Sequence, residues 1–328
     1  MTTSLTLFER RVRETLLDVV YAQWHDLGVP FADAPPADTS EVIDPEALLW
    51  CSLEFIATEP RLKEALVTWL CVNEEYIIRQ RLKRFAIPGE PRNSIWHALG
   101  GSRGTPPPTP AELPHGLESI DALSDFYQRL PDYVSKQGTS RQWIGKGARR
   151  PSTILLQARD LLGGDLRHAL LVYLLAHPSG AKLKSVEGWS GYSYRSISNT
   201  ATRWEAAGVL SIEHGYCRLI QREPWHVLLQ HQAESIVIVD WAKLFEAFIR
   251  LLRALAKAKR KGLRADSPVI RSYCREVEGA LASALTDSEH DTPTLTLLHV
   301  TVRSLSDELL RTVVGGDESV GSASPSST

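Results

Sequence analysis

The stretch from Gly191 to Leu210, GYSYRSISNTATRWEAAGVL, constrains the chain more than any other segment of its 328 residues. Ser193 stands where an N-cap belongs, because its hydroxyl can accept from the unpaired amides of a first helical turn. Ile197, Ala201 and Trp204 then recur at helical spacing along one edge. The opposite side carries Arg195, Ser196, Ser198, Asn199, Thr202 and Arg203, all hydrogen-bonding side chains, with one acid nearby, Glu205. A helix with so narrow an apolar edge lies on the surface of a small core and turns its back to a polar, anionic partner.

The flanking residues complete a module over 165–220. Asp165 to His177 predicts an amphipathic helix that stops at Pro178-Ser179-Gly180, and Leu183 to Trp189 predicts a short second helix closed by Gly191. A tight turn leads into the polar helix, which stops at Ala207-Gly208. Val209 to Ile212 and Tyr216 to Ile220 flank His214-Gly215, a hairpin signal. This string resembles the winged helix-turn-helix DNA-binding domains of bacterial MarR-like and ArsR-like transcriptional regulators. It departs from them in carrying Trp204 where Leu is usual and in its short wing. The resemblance implies sequence-specific binding of double-stranded DNA, with the helix beginning at Ser193 in the major groove. Arg195, Ser196 and Asn199 are the expected base-edge contacts, followed by Ser198, Thr202 and Arg203. Lys184, Tyr192, Ser193, Tyr194, His214 and Arg218 are expected at phosphates.

Charge agrees with the module, though not with the whole chain. There are 37 basic and 39 acidic side chains overall, for a net charge of −2. Between Thr139 and Glu223, twelve Lys and Arg face six Asp and Glu, so positive charge collects on the one segment shaped for a groove.

The expected fold class is mainly α, a central winged helix-turn-helix with a short β-hairpin flanked by helical N- and C-terminal domains. Residues 1–86 read as a helical domain: Leu5 to Leu27 repeats at helical spacing, Asp44-Pro45 starts a second helix, Glu59-Pro60 a third running to Cys71, and Glu74 to Phe85 a fourth. Residues 87–138 read as a Pro/Gly-rich linker with a short helix over Leu117 to Ser135, and 139–225 as the winged domain. Gly138 to Pro151, basic and punctuated by glycine, admits two readings, a phosphate-neutralising arm or a solvated connector; the connector is preferred. Residues 226–314 read as a helical C-terminal domain. In it, Trp241, Leu244, Phe245, Phe248, Leu251, Leu252 and Leu255 form a stripe fit for a core or for a homodimer seam. Pro268 to Leu285 and Thr294 to Val314 predict two more helices, and residues 315–328 a disordered tail.

Catalytic patterns are weak. His25-Asp26 and His290-Asp291 lack the further spaced ligands of metal phosphohydrolases, Gly191-Tyr192-Ser193-Tyr194 lacks the second glycine of a nucleophile elbow, and Gly145-Lys146-Gly147 is not a phosphate-binding loop. No enzyme, cofactor or metal site is expected. Cys51, Cys71, Cys217 and Cys274 are too scattered for a zinc site and read as buried thiols. With no membrane span and no signal core, a cytoplasmic protein is expected. The alternative to a DNA reader is a winged-helix adaptor holding a protein partner, or an antitoxin-like partner of a nucleotidyltransferase. The phrase Asp44-Pro-Glu-Ala-Leu-Leu49, the helix pair from Leu155 to Leu175 and Trp225 resemble such proteins.

Overall fold

A computed structural model describes residues 5–29, 40–73, 76–82, 150–229, 236–263, 267–286, 294–296, 298–300 and 302–304. Among these the chain is mainly helical, with one small three-stranded antiparallel sheet. It divides into two compact units, Met1–Val19 with Lys243–Thr328, and Val20–Ala242. The boundaries expected near residues 86, 138 and 314 fall outside the described residues.

Helix α1 (Leu5–Asp26) buries Phe8, Val12, Leu16 and Val19 at helical spacing. Helix α2 (Pro45–Ser52) starts as the sequence requires, since the Asp44 carboxylate accepts from the Glu46 and Ala47 amides, each at 3.1 Å, and Pro45 occupies the first turn. Helix α3 (Pro60–Asn73) follows; of the fourth helix expected over Glu74 to Phe85, Arg79–Leu82 form a single turn, α4, and Ile77 and Ile78 before it are not helical. The residues just before α2 are extended. The Val42 amide donates to Val237 O at 2.8 Å, and that of Ile43 to Ser152 O at 2.9 Å. The Trp241 indole donates to Val42 O at 3.0 Å. Through these bonds the second unit joins segments far apart in sequence.

The module at 165–220 lies within that unit. Helix α5 (Ile154–Leu162) precedes α6 (Leu166–Ala176), whose N-cap Asp165 accepts from the Arg167 amide. Strand β1 (Ala181–Lys182), which the sequence did not announce, leads into α7 (Leu183–Ser190) and then α8 (Tyr194–Ala206). Strands β2 (Leu210–Glu213) and β3 (Tyr216–Leu219) form the hairpin, and α9 (Glu223–Leu229) follows. The sheet order is β1-β3-β2. Leu210 pairs with Leu219 and Ile212 with Cys217, so one face sinks into the core, while Ser211 pairs with Arg218 on the solvent face. The hairpin closes through His214 and Gly215 with φ of 52° and 80°, the two left-handed residues that a tight two-residue turn demands. Gly208, with φ of 70°, lets the Val209 amide return to Trp204 O at 2.9 Å and end α8.

The core under this module comes mostly from α6, where Leu170, Leu171, Leu174 and Leu175 are all buried, joined by Ile154, Leu155, Val186, Trp189, Ile197, Ala201, Leu210 and Cys217. Each large aliphatic side chain fully buried there contributes about 1.5–3 kcal/mol.

Helix α10 (Trp241–Arg260) carries the stripe foreseen as core or dimer seam. All seven of its side chains, Trp241, Leu244, Phe245, Phe248, Leu251, Leu252 and Leu255, are buried within the single chain, which makes the stripe core. Lys257, Lys259 and Arg260 close the helix, where cations complement its negative end. Helix α11 (Pro268–Thr286) is joined to α10 by the Arg250–Glu276 ion pair.

Candidate nucleic-acid interface

Helix α8 is held at its start by two side-chain bonds, and a third closes α7 before it. The Ser193 hydroxyl accepts from the Ser196 amide at 3.3 Å, Glu187 accepts from the Tyr194 amide at 3.2 Å, and the Gly191 amide donates to Glu187 O at 2.9 Å. Of its thirteen residues only Ile197 and Ala201 are buried. Trp204, half-buried beside them, stacks on Trp225 with ring centroids 6.4 Å apart. That contact accounts for the aromatic residue at a position where Leu would have sufficed.

At about 100° per residue, the polar side chains sort into rows. Arg195, Asn199 and Thr202 lie opposite the Ile197–Ala201–Trp204 edge, and all three are exposed. Ser196, Thr200 and Arg203 form a second row along one flank, and Ser198, half-buried, sits on the other. The six residues expected at base edges are therefore not equivalent: the outermost row is Arg195, Asn199 and Thr202. The acids nearest in sequence are engaged with backbone amides, Glu187 with Tyr194 and Glu205 with Ile212. Neither belongs to that row.

The residues expected at phosphates are also placed. Ser193 and Tyr194 are exposed at the start of α8, and Tyr192 is half-buried in the turn before it. Lys184, on the exposed side of α7, pairs with Glu187. His214 is exposed at the hairpin tip. Arg218 lies on the solvent face of β3, donating to Ser211 Oγ at 3.1 Å and to Glu213 at 3.2 Å. Exposed pairs of this kind are worth about 0–1 kcal/mol, so a phosphate can displace the carboxylate.

A feature the sequence did not reveal lies beneath. Asp44, Glu46, Arg81 and Arg159, drawn from α2, its N-cap, α4 and α5, are all buried together. Glu46 accepts from the two terminal nitrogens of Arg159 at 2.8 and 2.9 Å and from the Ile78 amide at 2.7 Å. Arg81 is bonded to Asp44, and its Nη1 stands 3.4 Å from Glu46. Burial alone would raise the Glu46 carboxyl, but Arg159 and Arg81 hold it down to about 2. Burial pushes Asp44 up to about 6, with Arg81 opposing and the Glu46 charge adding to the rise. Next to them His168 accepts from Arg159 Nε at 3.2 Å through Nε2, leaving Nδ1–H to face Gly163 O. Burial, with Arg159 and Arg81 adding to it, drops the His168 pKa to about 3, so the ring is neutral.

Above this cluster, against the flank of α8, opens a cavity of about 770 Å³. Arg81 forms part of its wall, with Arg167, Tyr192, Ser193, Ser196 and Arg203. Thr200 and Arg167, which also border it, carried no functional signal in the sequence.

Of the weaker catalytic patterns, Asp26 is fully buried and bonded to Ser152 Oγ at 2.9 Å and to Arg150, a structural use. Arg150 is the described end of the basic Gly138–Pro151 segment; residues 138–149, His290 and Asp291 lie outside the described residues. Among the described residues no three His, Cys, Asp or Glu side chains are grouped to hold a metal. Cys51, Cys217 and Cys274 are free and buried. No helix among the described residues is long and apolar enough to cross a membrane. Comparison with protein-family models, curated proteins and solved structures finds no match.

Proposed function

We propose that this chain binds double-stranded DNA in a sequence-specific way, as a winged helix-turn-helix transcriptional regulator acting in the cytoplasm. In this reading α7 and α8 are the helix-turn-helix pair, and the β2–β3 hairpin is the wing. The observation that carries it is the exposed row of Arg195, Asn199 and Thr202, set opposite the buried edge of α8 and free of acidic side chains. An exposed helix of thirteen residues suits the major groove, where each base pair presents a distinct donor and acceptor pattern. Arg195 suits guanine O6 and N7, and Asn199 suits adenine N6 and N7. Lys184, Tyr192, Ser193, Tyr194, His214 and Arg218 are assigned to the phosphates of the two strands. Ser196 and Arg203, on the flank, are assigned to the groove edge.

Selection of duplexes from a random pool by the purified full chain tests the proposal. The expected outcome is a shared motif among retained sequences that disappears when Arg195 and Asn199 are both replaced by Ala. Retention of unrelated sequences, or of the same motif by that double variant, contradicts it. A motif with two-fold symmetry supports a homodimer on the DNA.

A further inference from the structure

We infer that the cavity beside α8 is a binding site for a small phosphorylated ligand carrying a flat ring, the chemistry of a nucleoside phosphate. Arg81, Arg167 and Arg203 line the cavity with Asp165; Arg81 is paired from beneath with Asp44 and Glu46, and Arg167 with Asp165. Arg81 forms the inner wall: its side chain is 5% exposed, one terminal nitrogen is bonded to Asp44, and Nη1 stands 3.4 Å from Glu46.

The rest of the wall matches the same chemistry. Ser193 and Ser196 place two hydroxyls at the first turn of α8, where the helix end favours negative charge. Among the described residues Arg167, half-exposed, is paired with the equally exposed Asp165, an interaction that an incoming phosphate can replace at little cost. Leu166, Tyr192 and Trp204 supply apolar and aromatic surface for a ring. At about 770 Å³ the cavity falls in the range of about 300–1,000 Å³ typical of small-molecule sites.

Ser193, Ser196, Tyr192 and Arg203 border the cavity and also belong to the proposed DNA-contacting set. Ligand and duplex therefore compete for them, and occupancy lowers DNA affinity. That coupling rests on the proposed function; ligand binding itself does not.

Calorimetric titration of the full chain at low salt, without DNA, with inorganic pyrophosphate and with ADP and GDP, tests the site. Saturable binding is expected, tighter for a nucleotide than for pyrophosphate, and weakened tenfold or more by Arg167→Gln. Arg81→Gln would disturb the buried cluster; Arg167, on the surface, keeps the test independent of folding. No saturable binding at millimolar concentration, or an unchanged affinity in Arg167→Gln, overturns the proposal. A duplex weakened by Arg167→Gln while none of the three free anions binds also overturns it, because the cavity then seats a backbone phosphate. Nucleotide binding by a chain that retains no DNA upholds the site and overturns the proposed function instead.

Discussion

Neutralising Glu46 removes one of the two carboxylates that balance Arg81 and Arg159. In Glu46→Gln the amide oxygen can still accept from the Ile78 amide and Arg159 Nη1, but the amide nitrogen then meets Arg159 Nη2, so the variant loses one charge and one hydrogen bond at nearly unchanged shape. Two buried guanidiniums then face Asp44 alone. A unit pair with charge centres about 4 Å apart is worth about 4 kcal/mol at an effective dielectric constant of about 20. Breaking buried pairs costs about 3–5 kcal/mol, in agreement. Urea unfolding followed by tryptophan fluorescence should therefore show the midpoint falling, with a loss of about 3–5 kcal/mol and an unchanged slope. The double variant Glu46→Gln with Arg159→Met restores charge balance and should lose less than Glu46→Gln alone. A loss under about 1 kcal/mol for the single variant, or a larger loss for the double, would refute the view that paired charge holds α2 and α4 against α5.

Other outcomes follow from the same geometry. Arg195→Ala should cost about 1–3 kcal/mol on a selected duplex and relax base preference at one position, measured by fluorescence anisotropy. Arg218→Ala should instead weaken all duplexes alike and make the salt slope shallower by about one unit. His168 titrates near 3 when folded against 6.5 when unfolded, so its contribution is fully present above 6.5 and is lost as pH falls from there towards 3. Wild-type stability should accordingly fall by about 1.4 kcal/mol per pH unit more steeply than that of His168→Gln between pH 6 and about 4, in urea titrations; parallel curves contradict this. The comparison with the variant isolates His168 from Asp44, whose raised pKa acts in the opposite sense over that window. Ile197→Ala should destabilise by about 2–4 kcal/mol, because Ile197 is one of only two buried residues on α8; a loss below about 1 kcal/mol in thermal unfolding would show that α8 is held by its caps.

What the sequence revealed and what it withheld divide along physical lines. Local chemistry was legible: Ser193 and Asp44 as caps, Gly208 as a helix stop, His214-Gly215 as a two-residue turn, the apolar stripe of α10, and the bounds of α6, α7, α8 and α11 to within a residue or two. Each of these is decided by side chains within a few positions of one another. Strand β1 was missed because two residues carry no alternation, and Ala181–Lys182 is extended only because β3 pairs with it. The outer row and the flank of α8 follow from helical spacing about the Ile197–Ala201–Trp204 edge; what the sequence withheld is the cavity that Ser196 and Arg203 border. Nothing in the spacing of Glu46 and Arg159, 113 positions apart, marked them as partners. Buried charge was the least legible of all, because Asp, Glu and Arg read as surface residues until a partner is known.

The most direct measurement of the central claim is the affinity of the full chain for a selected duplex and for a scrambled duplex of equal length, from 50 to 200 mM salt. If α8 reads base edges while Lys184, His214 and Arg218 meet phosphates, both affinities fall steeply with salt, and the selected duplex stays about a thousandfold or more tighter throughout. Equal affinity for the two duplexes, or binding indifferent to salt, would contradict the account.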